Sequence, residues 1–145
     1  MKKYELTAES IVKYGRTLYR IKALKAFGDV RKGELGGFVE KEENLDQEGN
    51  AWVGENAVVY ENAVVRGNAV VRENAVVRGN AWVYGYAVVC ENAVVCENAV
   101  VRGNAWVCGN AVVRGNAWVY GYAVIGGNAV VRGNAVVREN AVIGE

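Results

Sequence analysis

The chain contains no histidine and no proline. Without histidine, the commonest general base and the commonest zinc ligand are both missing. There are only three cysteines. That is too few for the disulfide framework of a small secreted domain, and no Cys-x-x-Cys pair suggests a metal site. No apolar run reaches the roughly 18 residues that a membrane-spanning helix needs. The opening residues Met1-Lys2-Lys3-Tyr4-Glu5-Leu6 lack the apolar core of a secretory signal. The expected location is therefore cytoplasmic. Charge of one sign is also missing: 17 basic residues face 16 acidic ones, for a net charge of +1. No like-charged block forms the basic stripe of a nucleic-acid binder or the tail of a membrane binder, so neither partner is expected.

What is present is repetition. From Asn50 to Glu145 the chain divides into sixteen consecutive six-residue units with no insertion or deletion. The first is Asn50-Ala51-Trp52-Val53-Gly54-Glu55, and the last is Asn140-Ala141-Val142-Ile143-Gly144-Glu145. Position one is Asn except at Tyr86 and Tyr122, and position two is always Ala. Position three is Val, or Trp at 52, 82, 106 and 118. Position four is Val or Ile, and position six is Gly or Glu.

Each Ala-Val-Val reads as a short extended segment. Side chains alternate faces along a strand, so positions two and four point one way and position three the other. The Ala and Val/Ile pair is the invariant apolar set and is placed inside; position three then faces outward. Gly or Glu followed by Asn makes the corner, since Gly and Asn tolerate left-handed backbone. β-Branched residues with a Gly/Asn pair in every unit make poor helix. The prediction is an all-β solenoid in which equivalent side chains stack in columns, with Asn ladders along the axis.

The pattern Val-x-Gly-Asn-Ala-x resembles the hexapeptide repeat of left-handed parallel β-helices. That resemblance implies a triangular prism with three six-residue units per coil, hence about five coils for residues 50–145. Residues 1–49 are a different element. Glu9 to Tyr14, then Gly15, then Arg16 to Ile21 reads as a β-hairpin. Residues 44–49 read as a degenerate unit in the same frame. The segment is expected to cap the solenoid, because an open end exposes unpaired backbone. The stretch from Tyr19 to Trp52, including Gly33-Glu34-Leu35-Gly36-Gly37-Phe38-Val39-Glu40, is similar to the start of YdcK-like hexapeptide-repeat proteins. Many of these are bacterial or phage-encoded and have no assigned activity. At the other end the repeats run to the last residue. Either that edge pairs with another copy, or the chain is truncated there.

Given three units per coil, columns can be read directly. Cys90 and Cys108 stack on one face and Cys96 lies on the next. They read first as small residues tolerated at an exposed position, with a redox pair between adjacent coils as the alternative. Glu55, Glu73 and Glu91 form a column, read as solvated corner residues rather than a cation site; Arg114 and Arg132, stacked likewise, carry the same discount as an anion site. Trp82-Val83-Tyr84-Gly85-Tyr86 recurs as Trp118-Val119-Tyr120-Gly121-Tyr122, two coils later. Trp82, Val100 and Trp118 are expected to share a face, with Tyr84, Arg102 and Tyr120 beside them. Trp, Tyr and Arg are enriched at interface hot spots. The expected interaction face is therefore Trp82, Tyr84, Tyr86, Val100, Arg102, Trp118, Tyr120 and Tyr122. The bland alternative is a duplicated segment whose aromatics merely suit a β surface.

The expected function is a non-enzymatic structural or protein-interaction solenoid. It self-associates as a homo-oligomer through apolar faces or its C-terminal end, or binds another protein partner, and uses no cofactor and no metal. The competing class is an acyltransferase-like enzyme, which the missing histidine disfavours. Ice binding wants ranks of Thr, and the only Thr are Thr7 and Thr17, outside the repeat.

Overall fold

The computed structural model describes residues 2–144. The chain opens with an antiparallel hairpin of β1 (Tyr4–Lys13) and β2 (Arg16–Ala23). Tyr14 and Gly15 between them both have positive φ, 55° and 73°. A two-residue turn of that hand matches the twist of the flanking strands. The first strand reaches back to Tyr4, farther than the sequence reading placed it, across a register irregularity between Leu6 and Ser10. Next, β3 (Leu35–Val39) pairs antiparallel with β2 and parallel with Val58–Val59. One strand thus converts a hairpin into a solenoid face.

Two-residue strands follow, one per repeat, from Trp52–Val53 to Val142–Ile143. Each pairs in parallel with the strand three repeats on; Val64 meets Trp82, and Trp82 meets Val100. Three sheets result, of eight, six and five strands, and they form a triangular cross-section. The first face carries Phe38, Val58, Val76, Val94, Val112 and Val130 outward. The second carries Val64, Trp82, Val100, Trp118 and Val136. The third carries Trp52, Val70, Val88, Trp106, Val124 and Val142. Residues 35–49 add most of a further coil, giving about six turns rather than five.

The core follows from the alternation. Ala51 through Ala123 at position two and Val53 through Ile125 at position four are fully buried in stacked columns. Between coils the backbone repeats one bond pattern: Trp52 N–H donates to Ala69 O at 3.0 Å, and Val70 N–H to Ala87 O at 3.0 Å. Asn ladders run along the corners, with Asn62 Nδ2 donating to Asn80 Oδ1 and Asn80 Nδ2 to Asn98 Oδ1, each at 3.3 Å.

Position six explains the Gly/Glu choice. Its backbone is left-handed, at φ 71° for Gly79 and 62° for Glu73. Glycine adopts this freely; another residue there needs compensation. The Glu residues have it. Glu73 N–H donates to Glu55 Oε1 at 3.0 Å, Glu91 N–H to Glu73 Oε1 at 2.8 Å, and Gly109 N–H to Glu91 Oε1 at 2.6 Å. Each carboxylate satisfies the corner amide one coil on with a charge-assisted bond. These residues are therefore not merely solvated corners, as the sequence suggested.

Residues 44–49 are not a unit in the repeat frame. Leu45 bridges Val65, which overshoots the regular offset by two positions, and takes the inward place of a position-four Val. Asp46 N–H donates to Val65 O, whereas Asn50 N–H donates to Gly67 O, so the regular offset returns only by Asn50. The corner between them holds two extra residues, at Gln47 and Glu48. Gln47 uses that bulge to grip β1: its Oε1 accepts from Lys3 N–H at 2.7 Å and its Nε2 donates to Tyr4 O at 3.1 Å.

Candidate functional site

The second face and its corner hold Trp82, Tyr84, Val100, Arg102, Trp118 and Tyr120, while Tyr86 and Tyr122 stand past the corner, leading into the third face. Val100 pairs with Trp82 on one side and Trp118 on the other, as the two-coil echo implies. Trp82 and Trp118 remain 39% and 41% exposed, and Tyr86 and Tyr122 62% and 64%. Trp82 and Tyr84 meet edge to face at 6.2 Å. Tyr84 and Tyr120 are half-buried at the corner, each one coil from Arg102 in the column.

Arg102 does not serve both aromatic pairs. Its guanidinium carbon lies 5.3 Å from the Trp118 ring centre and 4.6 Å from that of Tyr120. Trp82 and Tyr84 are covered instead by Arg66, at 4.8 and 5.1 Å. Each Arg leans one coil toward the C-terminus over a Trp/Tyr pair, a favourable cation–π arrangement. The sequence reading missed Arg66. The signal was available: Arg66, Arg102 and Arg138 recur at every second coil.

The face begins at an acidic ledge. Glu42, Glu43, Asp46 and Glu48 line an open depression of about 670 Å³ with Arg66 and Trp82. Glu42 is engaged by Lys2 at 3.0 Å, and its contacts with Lys2 and Gln47 hold its carboxyl below the usual range. Toward the C-terminus the acidic cluster gives way, and Glu139 beside Arg138 is the next acid at this corner. The corner column there runs Arg102, Tyr120, Arg138, and position six beside it is Gly as far as Gly121.

The third face leads into two of the three cysteines, Cys90 and Cys108. Cys90 and Cys108 form a disulfide between adjacent coils, with Cα atoms 4.7 Å apart. The strand spacing of a parallel ladder brings them together, so the redox-pair alternative describes this column and the exposed-filler reading does not. Cys90 is 4% exposed. Cys96 is free and equally buried, and burial raises its thiol pKa. A carboxylate oxygen of Glu91 lies within 4.8 Å of both bonded sulfurs. The sequence offered no Cys-x-x-Cys spacing, yet the fold groups these three side chains. The ligand spacing comes from neighbouring coils, not from neighbouring residues.

Outward position three is not uniformly open. Trp52 is 5% exposed, covered by Phe27 at 5.4 Å edge to face, and Val58 is 2% exposed. The leader thus covers flanks as well as the end. Tyr14 of the hairpin turn stacks on Tyr60 at 5.3 Å, and Arg16 links Glu40 and Glu61. No helix is long and apolar enough to cross a membrane among the described residues.

No protein-family model matches the chain, and no curated protein matches it.

Proposed function

We propose that this chain is a non-enzymatic interaction solenoid that pairs with a second copy of itself through the second face, in antiparallel register. The observation that carries the reading is the arginine-braced aromatic column of Trp82, Val100 and Trp118. Large aromatics held rigid and still exposed are what hot spots are made of. Val136 extends the column beyond Trp118 and is also exposed, and contiguous apolar patches mark contact sites.

Charge placement supports the antiparallel register. One end of the face is acidic through Glu43, Asp46 and Glu48; at the other, Arg138 stands exposed beside Glu139. A two-fold axis across the face would set each ledge against the other copy's Arg138, in two equivalent contacts. End-to-end stacking is a second route, favoured by the edge strands Val130–Val131, Val136–Val137 and Val142–Ile143. A cytoplasmic setting and kinship with the left-handed hexapeptide-repeat proteins of bacteria and phages, the YdcK-like group among them, remain part of this proposal on sequence resemblance.

Light scattering across a concentration series tests it. The expected result is a dimer mass, lost in the Trp82→Ala/Trp118→Ala double variant. Arg138→Glu should weaken pairing and Glu43→Lys in the same chain should restore it. A monomer at every concentration would overturn the reading. Species that grow without limit and ignore the Trp substitutions would move the contact to the solenoid end.

A further inference from the structure

We propose that the Cys90–Cys108 pair, once reduced, forms with Glu91 a binding site for a soft divalent cation of the Zn(II) or Cd(II) kind. Three observations carry it. The two sulfurs and a Glu91 carboxylate oxygen all lie within 4.8 Å of one another. The Glu91 carboxylate is already oriented, because its Oε1 accepts the Gly109 N–H at 2.6 Å. That leaves Oε2 for a ligand, with a second contact fixing its direction as in established metal sites. The outer side of the cluster is open: Glu91, Cys108, Gly109, Gly126 and Gly127 border a shallow depression of about 430 Å³. Position five of the next coil is Gly126, so no side chain fills the space beside Cys108.

The geometry suits the ion. With Zn–S bonds of about 2.3 Å, tetrahedral thiolates stand roughly 3.8 Å apart. Cα atoms at 4.7 Å permit that separation by side-chain rotation, with no change in the ladder. Water would complete four-coordination around the two sulfurs and one oxygen, and thiolate with carboxylate is a donor mixture zinc accepts. Arg72 occupies the same column one coil back, so a cation borders the N-terminal side of the pair.

The chemistry balances in two steps. A thiol or phosphine reductant supplies two electrons; the S–S bond breaks, and each sulfur takes a proton. The cation then displaces both thiol protons to solvent as two metal–sulfur bonds form. Oxidation to the disulfide and metal binding are mutually exclusive, so the column would register both redox poise and metal supply.

Cys96 is the internal control. It occupies the same repeat position on another face, where its charged neighbours include Arg78 and Arg114 and no second cysteine adjoins it. The test uses full-length protein reduced with a phosphine, freed of reductant under argon, and titrated with Cd(II) in the ultraviolet, then with Zn(II) by calorimetry. One metal per chain is expected, with a thiolate charge-transfer band and release of two protons. Cys90→Ser and Cys108→Ser should each reduce affinity at least 100-fold, Glu91→Gln about 10-fold, and Cys96→Ser should have no effect. The oxidised protein should bind none. Circular dichroism checks that the variants fold. Should a Ser variant fail to fold, slowed maleimide labelling of wild-type Cys90 and Cys108 by Cd(II) gives the same information. No band in reduced wild type, a band that survives Cys90→Ser and Cys108→Ser combined, or one that vanishes in Cys96→Ser would overturn the proposal.

Discussion

In the repeats, a backbone carbonyl finds its donor by translation. Ala69, Ala87 and Ala105 each accept from position three of the preceding coil at 3.0 Å. In residues 2–49 this supply runs out, and the first coil's carbonyls are met one by one. Ala57 and Val59 receive the N–H groups of Phe38 and Glu40. Ala63 and Glu61 both receive Asn44 Nδ2, at 2.9 and 3.2 Å. Ala51 receives Lys3 Nζ at 2.8 Å. The repeats distribute one solution over many equal contacts; the leader concentrates its solution in a few buried polar side chains. Stability should therefore be sensitive at the leader and forgiving along the corners.

The largest test of that contrast is Asn44→Ala. Asn44 is fully buried and also accepts from the Glu40 and Lys41 amides at 3.1 and 3.0 Å. Its removal orphans groups on both sides and should cost about 3 kcal/mol in urea unfolding. Next, Ala105→Val overfills the closed Ala87–Ala105–Ala123 column and should cost about 2 kcal/mol. A loss as large at Ala135, exposed in the last coil, would contradict the view that the prism interior sets the limit.

The third test is pH. Burial lowers the Lys3 pKa from 10.5 to about 8. The unfolded chain then holds more protons than the folded one between those values, so stability rises with pH across that window. The gain from pH 8 to 9 should be about 1 kcal/mol, measured as wild type minus Lys3→Met. Subtraction is needed because burial raises the pKa values of Cys96 and Tyr4, which act in the opposite direction at higher pH. A flat difference would mean that Lys3 is solvated. The smallest effect is expected at Asn80→Ala, which breaks two exposed ladder bonds. It should cost about 0.5 kcal/mol or less, and a larger value would show that the corners bear more load than the leader comparison allows.

The same contrast explains what could be read in advance. Sixteen copies of one unit average away local accident, so the strands, the buried Ala/Val columns and the shared face of Trp82, Val100 and Trp118 were legible. The leader offers a single instance. Its frame shift depends on a two-residue bulge at Gln47–Glu48, and nothing in residues 44–49 distinguishes a bulge from a degenerate repeat. Side-chain lean was equally hidden: column order places Arg102 between two aromatic pairs, and only rotamer choice sends it to Trp118 and Tyr120. The disulfide was visible as an alternative, because stacking predicts proximity while sequence does not fix redox state.

The constant pairing offset of three repeats has one more consequence. It makes length a free variable for evolution. Removing or inserting three repeats together restores every column above and below the cut, so coils can be gained or lost as whole modules. A change of a single repeat rotates all that follows by one face, and one made between Cys90 and Cys108 parts them. Only a change of two whole coils preserves the aromatic rhythm as well. The molecule is in effect a ruler graduated in coils, with its aromatic marks on every second division.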